Sequence, residues 1–461
     1  LVVLVVYPVH TTATNTNPFY PKIHVIKELD YSVGIRLLTY NNTNIVVGHT
    51  FDKSFNPESI DLMEYGRNVF VCCYDNQWNF LQGCIYGGDR HETVIEAFIN
   101  GNHQLCIIGN STSKDLNIIT EENGSDAQRV NVMDNNNGFF AVFSLENLEL
   151  IECTYTPSNN DVYFTDVEYY NSQYYLTGWT SSSHLPVTGN AIQKGKNSET
   201  SLFLLVLNEN FSVGYCSYYG DHNISHALLE INTNHGDILL RGSISDSSCP
   251  PNIQNWLIIL DADKYSISYQ CMVGEKDKAT FITDIKWENF SVIAFYGHTN
   301  DGDYYTTPEA FQKEQDVEGT SCFVTILDIV SDSIIYSSFL GGNQIDFSDS
   351  FCVQQDQDII LTGYTRSNNF PITYDAKHKS LHRDKSTFFI CHFHPYQKMV
   401  YSSFINDQDF GLVNHSCIDQ ENNQIILVGK TQHDDVTYCV QAIILRMSLA
   451  NIAYIPIIMQ K

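Results

Sequence analysis

Basic residues are scarce in this chain. Its 461 residues include 25 Lys and Arg against 53 Asp and Glu, a formal net charge of -28. Nucleic-acid binding depends on neutralising phosphates with Lys and Arg, so no nucleic acid is expected as a partner. Anionic lipid heads repel the same charge. Long apolar runs are also missing. The longest, near the start, falls far short of the ~20 residues that span a bilayer, so no membrane insertion is expected. Segments with apolar residues at helical spacing are lacking too.

Motif chemistry is equally thin. The chain has no Cys-x-x-Cys, although it holds 13 cysteines, an odd count that leaves at least one unpaired within the chain. Cys72, Cys73, Cys322, Cys391 and Cys439 sit inside expected strands and read as buried small hydrophobes. Disulfide connectivity stays open. Gly-x-Ser-x-Gly, a phosphate loop and His-Glu-x-x-His are all absent. No catalytic residue, metal ligand or cofactor is therefore assigned.

What is present is a repeat. Seven short strands are each centred on a glycine: Gly48, Gly109, Gly178, Gly242, Gly297, Gly363 and Gly429. Successive spacings are 61, 69, 64, 55, 66 and 66 residues. Six of the seven have Thr or Ser two places later. That length suits a four-stranded sheet rather than a helical solenoid unit. Abundant aromatics, 28 Tyr and 26 Phe, favour strands. The expectation is an all-β protein, a seven-bladed β-propeller of four-stranded antiparallel blades with an extra N-terminal strand. Residues 1–28 form that strand and a Thr/Asn-rich linker. Blades fall near 29–88, 89–158, 159–221, 222–275, 276–343, 344–408 and 409–461. Each glycine is expected to admit the backbone or an aromatic ring of a neighbouring blade. The following Thr is expected to hydrogen-bond at the strand end.

Several phrases are specific. Blades 5 and 6 carry Cys322-Phe-Val-Thr-Ile-Leu-Asp328, Ile335-Tyr-Ser-Ser-Phe-Leu-Gly-Gly342, Leu361-Thr-Gly-Tyr-Thr365 and Asn369-Phe-Pro-Ile-Thr373. Blade 3 repeats part of the pattern in His184-Leu-Pro-Val-Thr188 and Ala191-Ile-Gln193. These phrases resemble the SBBP-type seven-bladed β-propeller repeat family. The resemblance implies a secreted or surface-attached scaffold with no family catalytic residues to carry over.

Asn-x-Ser/Thr acceptors occur at Asn41, Asn110, Asn123, Asn210, Asn223, Asn289 and Asn414, all in or beside expected turns. With the resemblance, they point to an extracellular or cell-surface glycoprotein. Other polar clusters read as structural. His222 and His226, and His392 and His394, lack a third ligand. Asp134–Gly138 and Asp301–Asp303 lack the terminal Glu of a calcium loop and read as turns.

The opening Val2, Val3, Leu4, Val5, Val6 and Tyr7 form a nearly continuous apolar run. With Ile452–Ile458 taken as the last strand of blade 7, that run is surplus. It fits either a further strand within its own molecule or donation to a second copy. Donation from head to tail would build a filament. The expected function is a non-enzymatic structural or adhesive propeller whose partners are other copies of itself. The alternative is a glycan-binding or glycan-cleaving propeller, to be favoured by carboxylates and aromatics converging in the central channel.

Overall fold

The structure is a computed structural model. It describes residues 22–25, 32–50, 66–77, 79–116, 135–156, 158–209, 211–245, 252–316, 319–353, 359–376, 378–381, 387–394, 398–405, 412–419, 424–430 and 442–448. Within these residues the strands form seven four-stranded sheets, every pairing antiparallel. Six sheets each use four consecutive strands. Their first strands are Ser32–Tyr40, Glu92–Ile99, Val162–Tyr170, Ile224–Ile231, Thr280–Trp287 and Asp346–Val353.

The remaining sheet is composite. Leu412–Asp419, Gln424–Lys430 and Ala442–Ser448 supply three strands. Lys22–Val25 supplies the fourth, with Lys22 opposite Arg446 and Val25 opposite Ile443. The expected ring of seven self-contained blades with a strand to spare is thereby corrected. Six blades are self-contained, and the last is closed by a segment that the sequence pattern assigns to the linker. Ring closure through the N-terminal segment ties distant parts of the chain together by main-chain hydrogen bonds. Ile452–Ile458, given that position from sequence, lies outside the described residues, as do Val2–Tyr7.

First strands contact one another in a closed cycle, from Ser32–Tyr40 round to Leu412–Asp419 and back. They therefore surround the axis, and the fourth strands form the outer rim. Inner-layer strands are covered on both faces by neighbouring sheets, which is why they read as continuous apolar runs. Asn68–Tyr74 is buried at all seven positions. The cores lie between sheets. Val71, Ile107 and Phe139 join blades 1 and 2, and Ile108, Phe164 and Phe203 join blades 2 and 3.

Candidate functional site: the central channel

The channel is built by a repeated irregularity. Each first strand carries a register shift, between Gly34 and Arg36, Val94 and Glu96, Phe164 and Asp166, Ile224 and His226, Ile282 and Asp284, Ser348 and Ser350, and Val413 and His415. In six blades the residue just before the shift pairs with the blade glycine, as Phe164 does with Gly178. In blade 4 the shift falls earlier, and Gly242 pairs with Ala227.

The bulge explains the glycine. A Cβ on Gly109, Gly178, Gly297 or Gly363 would overlap the carbonyl oxygen of Thr93, Tyr163, Phe281 or Phe347, respectively. The close neighbour is thus the first strand of the same blade. The expected approach by an adjacent blade is corrected accordingly. Among the described residues, Ser111, Thr180, Thr299 and Thr365, each two places on, do bond at the strand end. Thr180 Oγ1 donates to Asp161 O at 2.7 Å, and Ser111 Oγ donates to Glu92 Oε1 at 2.8 Å.

A bulge also resets the alternation of side chains. In Glu92–Ile99, Val162–Tyr170 and Thr280–Trp287 the first, third and sixth residues are buried. The second, fifth and seventh share the less covered, axis-facing side. Glu96, Asp166 and Asp284 occupy the fifth position. Glu168 and Lys286 follow at the seventh, whereas Phe98, the seventh residue in blade 2, packs on Tyr169 and Tyr174 between blades 2 and 3.

Seven charged side chains meet here among the described residues: Arg36, Glu96, Asp166, Glu168, Glu230, Asp284 and Lys286. Arg36 forms an ion pair with Glu96 across blades 1 and 2. Lys286 Nζ lies 2.9 Å from Glu230 Oε2 and 3.9 Å from Asp284 Oδ1. Leu229 N donates to Asp166 Oδ2 at 2.8 Å, linking blades 3 and 4. Three carboxylates also accept from the next backbone N–H: Ala97 to Glu96, Val167 to Asp166 and Ile285 to Asp284, at 2.9, 2.9 and 2.8 Å. These donors lie on the inner edge of the sheet, where no further strand can pair with them.

The paired side chains keep 16–35% of their surface accessible although protein encloses them. The channel is open to water rather than a closed core. Five carboxylates face two accessible cations. Burial pushes Asp166 up to about 7, and the nearby Glu96 adds to the shift. Glu168 is raised by burial and then by Glu230, while Glu230 is itself raised by burial. Burial opposes the Lys286 charge, but Asp284, Glu230 and Glu168 outweigh it and hold its pKa well above the usual lysine value. Arg241 lies fully buried behind this group. Its guanidinium bonds to Ser243 Oγ and Ile282 O. Burial pulls it down to about 9.

One end of the channel is aromatic. Tyr163, Phe281 and Phe347 are the second residues of parallel-running first strands and so lie at the same end. Tyr163 stacks on Trp179 at 4.1 Å between ring centroids. A run of rings continues across blades 4 to 6. His226 meets Phe281 at 5.8 Å, Phe281 meets His298 at 5.4 Å, His298 meets Phe347 at 4.7 Å, and Phe347 meets Tyr364 at 5.0 Å. Burial pulls His226 to about 3 and His298 to about 4, so both imidazoles are neutral at physiological pH.

The sequence-derived candidates are distributed elsewhere. His226 faces the channel end, whereas His222 is exposed beside Asp221. His392 is buried in the third strand of blade 6. Among the described residues no group of three or more His, Cys, Asp or Glu is arranged to hold a metal. Asp301 forms a turn, accepting from Asp303 N at 3.1 Å. Asp134 and Cys439 lie outside the described residues. Cys72, Cys73, Cys322 and Cys391 are buried thiols.

Of the glycan acceptors, Asn41, Asn223 and Asn289 are exposed. Asn110 is 7% exposed, and its amide bridges blades 2 and 3. Its Nδ2 donates to Phe164 O at 2.8 Å, and its Oδ1 accepts from Phe164 N at 2.9 Å. Its expected role as a surface acceptor is corrected on that ground. Asn123 and Asn210 lie outside the described residues. Asn414 lies within Leu412–Asp419.

No protein-family model and no curated protein matches the chain. Solved structures do. Puromycin hydrolase aligns with a TM-score of 0.51 and 6% identity over 91% of this chain, which spans 52% of that one. The Dos1 propeller aligns at 0.46 and 10% identity over 93% and 94% of the two chains. The polysaccharide lyase Uly1 aligns at 0.38 and 11% over 90% of each. At these identities the likeness shows the β-propeller fold alone.

Proposed function

We propose that this protein is a non-enzymatic adhesive propeller, placed outside the cell or on its surface, that holds a glycan in its central channel. The carrying observation is the combination of an aromatic end with a water-accessible charged interior. Aromatic faces cover the apolar sides of sugar rings, while carboxylates and cations hydrogen-bond hydroxyls and fix orientation. Exposed acceptors and the SBBP-type repeat resemblance support the surface placement. Four of the five carboxylates, Glu96, Asp166, Glu230 and Asp284, already engage Arg36, Lys286 or main-chain donors, which suits holding rather than chemistry.

A second reading is glycan cleavage. It is favoured by Glu168, whose pKa burial and then Glu230 raise well above the usual carboxylate value, the direction a general acid needs. A glycan array followed by calorimetric titration with the best oligosaccharide tests both. Trp179→Ala should weaken binding at least tenfold. Glu168→Gln should weaken binding if the channel only holds its ligand. If cleavage occurs, that variant retains binding and loses product. Binding unaffected by Trp179→Ala would overturn the channel assignment.

Self-assembly is a separate part of the reading. Residues 1–21 contain no Asp, Glu, Lys or Arg in a chain of net charge -28. Such a segment can approach another acidic copy without repulsion.

A further inference from the structure

The outer rim is protected unevenly. In blades 3, 5 and 6 the long connection between second and third strands returns to cover the fourth. Thr188 N donates to Cys216 O at 3.1 Å, and Tyr218 N donates to Gln193 O at 3.1 Å. Blade 5 repeats this with Thr307 to Ser337 and Phe339 to Gln312, at 3.0 and 3.1 Å. Blade 6 does so with Thr373 to Ser402 and Phe404 to His378, at 3.1 and 3.2 Å. The covering connections span residues 181–200, 300–320 and 366–386.

Blade 4 is different. Its second strand ends at Ser245 and its third begins at Ile253, leaving only residues 246–252 between them. The fourth strand, Ile267–Val273, pairs with Ile253–Leu260 on one side. Among the described residues, no main-chain bond reaches its other side. Its sequence, Ile-Ser-Tyr-Gln-Cys-Met-Val, is uncharged. Ile267 and Met272 are 39% and 45% exposed. Proteins usually protect such an edge with charge, proline or a covering segment.

We infer that Ile267–Val273 accepts the apolar segment Leu1–Tyr7 of a second copy as a fifth, outermost strand. This rests on the self-assembly part of the proposed function and not on the channel. The donor is tethered at the right place. Lys22–Val25, which follows the donor segment in the chain, is the outer strand of its sheet and so lies at the rim. The 14 residues between Tyr7 and Lys22 reach up to roughly 46 Å when extended. Both partners are uncharged, so main-chain pairing meets no local charge repulsion. Blade 4 lies three blades from the tethering sheet by the shorter way round, which favours donation to another ring over return to the same one. Donor and acceptor are different surfaces, so each copy can give and receive and the contacts form an open chain.

Complementary variants give the test. One lacks residues 1–10 and keeps the acceptor. The other carries Gln270→Lys and Met272→Lys at exposed positions and keeps the donor. Sedimentation velocity should show assemblies for the native chain, monomers for each variant alone, and a 1:1 heterodimer when the two are mixed. Circular dichroism checks that both remain folded. Assembly by the edge variant alone would overturn this acceptor while leaving self-assembly standing. A native chain that stays monomeric at all concentrations would overturn both. Loss of glycan binding has no bearing on either result.

Discussion

The carbonyl oxygen of Tyr163 occupies the space that a side chain on Gly178 would need. That oxygen is held by the bulge between Phe164 and Asp166, so it has little room to retreat. Gly178→Ala should therefore destabilise the protein by about 2–4 kcal/mol. Gly242 is the contrasting case. Its nearest neighbour would be Ile224 Cδ1 at 3.0 Å, the movable end of a side chain. Gly242→Ala should cost about 1 kcal/mol or less. Urea denaturation of the two variants checks the difference, and equal losses would contradict this account of the bulge.

Asp166 links the channel to pH. Its folded pKa, pushed up to about 7, lies above the ordinary aspartate value of 3.8. Protonated Asp166 is compatible with the fold, so its contribution is complete below about pH 4. That contribution is lost as pH rises through 7. Asp166→Asn removes this loss while keeping an acceptor for Leu229 N. Relative to the native chain, the variant should gain stability between pH 4 and pH 8, by an amount on the order of 2–4 kcal/mol. Melting temperatures across that range give the measurement. A constant difference would mean that Asp166 does not titrate there.

Arg36 and Glu96 connect blades 1 and 2 with partial access to solvent. A double-mutant cycle with Arg36→Met and Glu96→Gln should give a coupling of about 1–3 kcal/mol. The coupling should shrink only modestly in high salt, because the surrounding protein limits screening. Exposed ion pairs behave otherwise. A coupling near zero would show that the channel charges are not energetically joined across blades.

Asn110 separates structure from modification. Asn110→Ala removes two hydrogen bonds to Phe164 and should cost about 2–4 kcal/mol. In a host that attaches N-glycans, peptide mapping should find sugars at Asn41, Asn223 or Asn289 and none at Asn110. Occupancy at Asn110 in folded protein would contradict its bridging position.

Much of the architecture is legible in the sequence because glycines and trailing Thr or Ser recur at sheet-sized intervals. The channel is not. Its first strands place apolar residues two and then three apart, as at Val162, Phe164 and Val167. A search for strict alternation misses that spacing, since the bulge changes phase inside the strand. Asp166 and Glu168, like Asp284 and Lys286, are the available signal: charges two apart within expected inner strands. Lys22–Val25 is obscure for another reason. Four residues carry too little pattern to announce a strand, and their partner, Ala442–Ser448, lies at the far end of the sequence.

Pairing Lys22–Val25 with Ala442–Ser448 also sets an order of events during synthesis. The early segment must wait without its partner while 416 residues, from 26 to 441, are made. At roughly 5–20 residues per second, that wait lasts about 20 to 80 seconds. Through that interval the nascent protein is an open arc with an unmatched strand ahead of its first complete blade. The ring can be completed only once Ala442–Ser448 has emerged, so a ribosome that stalls before that strand leaves an unclosed molecule.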